Sequence, residues 1–166
     1  ASGGVGGQFD PAIIKANNIA LNVGSLTNSG ALTAFDSLII NASSDIQNLG
    51  GSISAISLLQ LTSTQGDLLN LSGSITGGDV TIVANDIISE TDIVRFVDGE
   101  NVQEVAAPSA LISATSGVLT LNAAGDITVI GGDLSGDAGV NILAAGDIDF
   151  AALELNSTYD GAGDDW

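Results

Sequence analysis

Leu58-Leu59-Gln60-Leu61-Thr62-Ser63-Thr64-Gln65-Gly66-Asp67-Leu68-Leu69-Asn70-Leu71-Ser72-Gly73-Ser74-Ile75-Thr76-Gly77 sets out one full unit of the chain. Leu59 and Leu61 stand two apart and so share one face of a strand. Gly66-Asp67 breaks that strand, Leu68 opens a second, Ser72-Gly73 breaks again, and Ile75 anchors a third. Gly and Asp are turn residues, because Gly tolerates positive φ and Asp bonds back to nearby backbone.

The same unit recurs on both sides of this stretch. The first anchors are Ile19-Ala20-Leu21, Leu38-Ile39-Ile40, Leu59-Gln60-Leu61, Val80-Thr81-Ile82, Leu119-Thr120-Leu121 and Val140-Asn141-Ile142, spaced by 19, 21, 21, 39 and 21 residues. The second anchors, usually after Asp, are Leu26, Ile46, Leu68, Ile87, Ile127 and Ile148. The third column runs Leu32, Ile53, Ile75, Ile112 and Leu134, with Ile14-Lys15-Ala16 ahead of it and Leu153 behind.

A period near 20 with three short alternating runs predicts an all-β parallel β-helix, a solenoid in which each repeat is one turn of a coil. Strands stack on the turn below at about 4.8 Å, so about six turns make a rod of roughly 29 Å. Aliphatic side chains form ladders inside, and Ser, Thr, Asn and Asp point out. The small residues closing many strands (Ala34, Ala42, Ala55, Ala84, Ala123, Ala144) suit corners where the backbone bends inward. A β-sandwich would not repeat one template at this period. A leucine-rich repeat would show helical segments, and a calcium-loaded nonapeptide roll would show tandem Gly-Gly-x-Gly-x-Asp.

One spacing doubles. Between the second and third anchors the gap is 6 or 7 residues, but from Ile87 to Ile112 it is 25. An insertion over 89–108 is therefore expected at one corner. Its two β-prone runs flank Asp98-Gly99, a strong hairpin signal. It holds the only Arg, and Arg95 is expected to partner a nearby acid. Insertions in solenoids concentrate on the working face, so Arg95, Phe96, Asp98, Gly99 and Glu100 are the candidate partner contacts. A tolerated loop is the plain alternative. The expected organisation is a flexible Gly-rich segment over 1–12, the β-helix over 13–157 and a polar acidic tail over 158–166.

Composition excludes several functions. Two basic residues stand against twenty acidic ones, giving a formal charge of −18, and there is no His, Cys or Met. Two cations make no footprint on nucleic acid, nor do they draw the chain to an anionic membrane. Without His or Cys there is no ordinary zinc site, no Ser-His-Asp triad and no thiol nucleophile. No apolar run approaches the roughly 18 residues of a membrane span.

The stretch Leu58–Ile75, and with it Ser109-Ala110-Leu111-Ile112-Ser113-Ala114 and Gly117–Val129, resembles the repeat region of filamentous-haemagglutinin-like exoproteins. These are the large surface adhesins and contact-dependent inhibition proteins secreted by two-partner systems of Gram-negative bacteria. The resemblance covers roughly 19–155. It implies a right-handed β-helical shaft, secreted and displayed at the cell surface, sometimes bearing receptor-contacting segments. The break before Ile112 resembles that family's excursions outside the helix. The near-absence of Lys departs from many members, and no toxin or secretion-signal domain of the family is evident.

Residue chemistry leaves two further candidates. Asp45, Asp67, Asp86, Asp126 and Asp147 each precede a second-column anchor, so stacking makes them a ladder of like charges about 5 Å apart. Such a ladder repels itself unless solvated, hydrogen-bonded or bridged by cations. Each Asp is expected to cap its own turn. Calcium, which takes oxygen ligands, is the alternative, and it is the only cofactor the sequence suggests. Glycoside hydrolysis needs paired carboxylates; Asp147 with Asp149, and Asp164 with Asp165, are such pairs, but with twenty acids chance supplies them. The expected role is a non-enzymatic structural or adhesive segment that meets a cell-surface protein or glycan receptor. The alternatives are a fibre subunit binding copies of itself end to end and, remotely, a polysaccharide-active enzyme. Neither nucleic-acid binding nor membrane insertion is expected.

Overall fold

A computed structural model describes residues 12–158. Ten strands precede the insertion: β1 (Ile13–Val23), β2 (Leu26–Asn28), β3 (Ala31–Ala42), β4 (Ile46–Leu49), β5 (Ser52–Ala55), β6 (Leu58–Ser63), β7 (Leu68–Leu71), β8 (Ser74–Gly77), β9 (Asp79–Ala84) and β10 (Ile87–Glu90). The insertion holds β11 (Ile93–Asp98) and β12 (Asn101–Ala106). The coil resumes with β13 (Leu111–Ala114), β14 (Val118–Ala123), β15 (Ile127–Ile130), β16 (Asp133–Gly136), β17 (Gly139–Ala144) and β18 (Ile148–Ala151). The described residues contain no helix.

All three anchor columns stack in register as parallel ladders. Ile19, Leu38, Leu59, Val80, Leu119 and Val140 form one row. Leu26, Ile46, Leu68, Ile87, Ile127 and Ile148 form the second, on a 6-stranded sheet. Ile14, Leu32, Ile53, Ile75, Ile112 and Leu134 form the third. The first and third faces belong to one 10-stranded sheet, because β1 and β3 run unbroken around the corner between them. No glycine interrupts Ala34-Phe35-Asp36-Ser37, whereas Gly77-Gly78 divides the same corner later. Counting the partial course that begins at Ile14, the solenoid has about seven turns, against the six or so expected.

The interior is aliphatic: Leu61, Ile82 and Leu121 are fully buried, each contributing about 1.5–3 kcal/mol over an exposed side chain. The corner alanines Ala34, Ala42, Ala55, Ala84 and Ala123 are buried as well. The outer courses differ. Val140 and Ile148 keep their register yet are 41% and 45% exposed, because no described strand stacks beyond β17 and β18. Leu153 does not extend the third ladder; it lies half-buried against Gly131, and residues 152–157 form no strand. The segments expected over 1–12 and 158–166 lie, apart from Ala12 and Thr158, outside the described residues.

A polar ladder runs inside the second corner. Asn28, Asn48 and Asn70 are buried two positions beyond their anchors. Asn28 Nδ2 donates to Asn48 Oδ1 at 2.8 Å, Asn48 Nδ2 to Asn70 Oδ1 at 2.9 Å, and Asn70 Nδ2 to Ser89 Oγ at 3.4 Å. Ser89 and Glu90 thus belong to β10, and the excursion starts later than 89 because the core needs Ser89. It occupies 92–109. Buried Thr91 closes its base: the Thr91 hydroxyl donates to Gly131 O at 2.6 Å and accepts the Ala110 N–H at 3.0 Å.

Candidate partner-contact site

The insertion is an antiparallel hairpin in which Asp98 pairs with Asn101. The two turn residues are therefore Gly99 and Glu100, one position beyond the Asp98-Gly99 expected from sequence. Gly99 has φ +61°, as suits the hairpin turn that places glycine first. Arg95, Phe96, Asp98, Gly99 and Glu100 are brought together on the outer part of the hairpin, all exposed. Phe96 is 57% and Val97 64% exposed, with Val94 and Val105 also open to solvent. Arg95 faces Glu104 across the pair. The Glu104 carboxylate, however, accepts the Asn156 N–H at 2.7 Å, and among the described residues Arg95 has no ion-pair partner.

The C-terminal segment docks on the other hairpin edge, a contact the sequence did not indicate. Val102 N–H donates to Thr158 O and Thr158 N–H to Val102 O, both at 2.9 Å. Phe96, Val97, Val102, Ser157 and Thr158 line a groove of about 590 Å³ there.

The aspartate ladder runs from course to course along a different corner. Asp45 Oδ1 accepts the Asp67 N–H at 3.1 Å, Asp67 Oδ1 the Asp86 N–H at 3.0 Å, Asp86 Oδ1 the Asp126 N–H at 2.8 Å, and Asp126 Oδ1 the Asp147 N–H at 2.7 Å. Four of the five carboxylates thus cap the neighbouring course, not their own turn. This geometry explains three of the Gly-Asp pairs: a Cβ on Gly66, Gly125 or Gly146 would meet the carboxylate of Asp45, Asp86 or Asp126. Asn85, which has a Cβ at that position, donates its amide to Asp67 Oδ1 at 3.1 Å. Among the described residues no three acidic side chains converge in a way that could hold a metal ion. Asp149 lies on β18, in register with Thr128; Asp164 and Asp165 lie outside the described residues.

Segments of known proteins are similar to this chain. The chain is 30% identical over 164 residues to the tRNA nuclease CdiA of Yersinia mollaretii, covering 88% of this chain and 5% of that protein. The chain is similar to CdiA proteins. Toxin CdiA of Escherichia coli matches at 28% over 163 residues, covering 93% of this chain and 5% of that protein. The 16S rRNA endonuclease CdiA of Enterobacter cloacae matches at 36% over 132 residues, covering 75% and 4%. The chain thus spans about one-twentieth of the length of these relatives. They are contact-dependent inhibition proteins, and a stacked-strand solenoid is consistent with their repeat region. No family model matches the chain, and no solved structure matches it.

Proposed function

We propose that this chain is a rigid shaft segment of a secreted, cell-surface exoprotein of the contact-dependent inhibition type, and that its hairpin meets a receptor on another cell. The observation that carries this reading is the hairpin itself. The hairpin leaves the coil and bears exposed Phe96, Val94 and Val97 beside Arg95, which has no ion-pair partner among the described residues. Aromatic residues and Arg dominate binding hot spots, and an exposed apolar cluster on a soluble rod marks a contact surface. The role is mechanical and adhesive, without catalysis: the sequence lacks His and Cys, and the stacked Asp carboxylates bind backbone N–H groups. The nuclease activities in the relatives' names belong to proteins far longer than this chain.

The coil's own corners supply the test. Gly50-Gly51 and Gly131-Gly132 join the second face to the third in their courses. Replacing residues 91–110 with Gly-Gly gives the Ile87 course that same corner and restores the seven-residue anchor gap. The variant is expected to keep the β-sheet circular dichroism and a cooperative melt while losing binding of the labelled chain to Escherichia coli or Yersinia cells. Binding equal to the parent's would return the hairpin to a tolerated loop.

A further inference from the structure

We propose that the free edge of β11 receives an extended strand from a protein partner, with an acidic side chain of that strand against Arg95. This deepens the hairpin reading above and rests on it. In an antiparallel pair, residues alternate between exchanging both backbone bonds with their opposite number and turning them outward. The Asp98–Asn101 pair closes the two-residue turn, so Phe96 and Val94 bond inward while Val97, Arg95 and Ile93 turn N–H and C=O to the outer edge.

The other strand confirms this alternation. Val102 and Glu104, the outward residues of β12, give their N–H groups to Thr158 O at 2.9 Å and to Ser157 Oγ at 3.4 Å. One edge of the hairpin thus already holds an extended segment. On β11 the Ile93 N–H is taken by Asp92 Oδ1 at 2.8 Å. Among the described residues no strand pairs with the backbone edge at Arg95 and Val97.

Natural edge strands are usually guarded by lysine, proline, bulges or a covering segment. Ile93–Asp98 contains no Lys or Pro, and its pairing with β12 is regular. Strand addition at such an edge draws affinity from main-chain bonds and specificity from alternate side chains. The charge selects the partner. Lys15 and Arg95 are the only cations in a chain of formal charge −18, and Lys15 lies on β1 in the first course. An acidic residue is therefore attracted at the edge only beside Arg95. A second copy of this chain is disfavoured as the occupant, because two rods of −18 repel; the same field requires a partner strand of low net charge whose single acid lies beside Arg95.

The test uses the full chain and two fluorescent peptides of about eight residues. One alternates threonine and valine around a central glutamate; the other carries lysine in that place. The glutamate peptide should bind with at least about tenfold preference over the lysine peptide. Its binding should slow hydrogen exchange at the Arg95 and Val97 amides and leave Val94 and Phe96 unchanged. Arg95→Gln should abolish the preference. Val97→Pro removes an outward N–H that the hairpin does not use, so it should abolish binding; proline is tolerated on a strand edge whose N–H faces solvent. Should that variant not fold, the exchange pattern of the parent decides alone.

Absence of peptide binding, binding without slowed exchange at Arg95 and Val97, or undiminished binding by folded Val97→Pro would overturn the inference. So would protection of those amides by self-association without peptide. Cell binding that needs the hairpin but survives Val97→Pro defeats the edge alone. Cell binding that survives the Gly-Gly replacement defeats the reading beneath it.

Discussion

At Asn48 four hydrogen bonds meet in a fully buried side chain. Its amide donates to Gly51 O at 3.0 Å, Asn70 Oδ1 at 2.9 Å and Ser74 O at 3.4 Å, and its carbonyl accepts from Asn28 at 2.8 Å. Asn48→Leu keeps the volume but orphans these partners, and each buried group left unpaired costs about 1–3 kcal/mol. Urea unfolding should therefore show a loss of about 3 kcal/mol, whereas Asn70→Ser, which copies Ser89, should cost about 1 kcal/mol. Equal losses would show that the ladder adds no more than packing. Its signal was present in the sequence: Leu26, Ile46 and Leu68 are each followed two positions later by Asn, which period-2 alternation turns inward. A polar residue at an inward position reads as an exception until the stacked partner is visible. The glycines belong to the same device, because a Cβ on Gly51 or Gly73 would strike these amides. Where the ladder residue shortens to Ser89, Ala110 takes the glycine's place and is fully buried.

At the level of the strands, burial depends on the course as well as the column. Leu61 sits between Ile40 and Ile82 with no exposure. Leu61→Asp places an unpaired charge inside the coil at a cost of several kcal/mol, and should abolish the cooperative melt. Val140→Asp occupies the same face in an outer course at 41% exposure and should shift stability by only about 1 kcal/mol. Similar losses for both would show that Val140 is covered. The columns were legible in the sequence because a 19–21 residue period admits one register. Burial in the outer courses was not, since register says nothing of what stacks above. The hairpin was legible in its type and less so in its bounds, because Ser89 and Thr91 look like turn residues and work in the core. The docking of Asn156–Thr158 on β12 left no periodic mark, as it joins segments more than 50 residues apart by one backbone pair and two bonds to side chains.

Charge is spread unevenly along the whole rod. Residues 12–30 contain Lys15 and no acid, while 133–154 contain Asp133, Asp137, Asp147, Asp149 and Glu154. Carboxylates stacked about 5 Å apart lie well inside the screening length of about 10 Å at 0.1 M salt. Their hydrogen bonds to neighbouring N–H groups hold the ladder in line but leave its net charge in place. Sodium chloride should therefore raise the melting temperature. At low salt, amide exchange should quicken first at β17 and β18, where acids are dense and the core open, and last around Leu38. Calcium separates screening from binding. Four of the five ladder carboxylates already accept a backbone N–H through Oδ1, and a cation at Oδ2 would meet single oxygens along a line, not the 6–8 ligands calcium prefers. Calcium and sodium chlorides at matched ionic strength should therefore give equal melting temperatures. An additional rise in calcium that Asp86→Asn and Asp126→Asn remove would instead assign the ladder a bridging ion, because screening depends on ionic strength and not on which carboxylate is present.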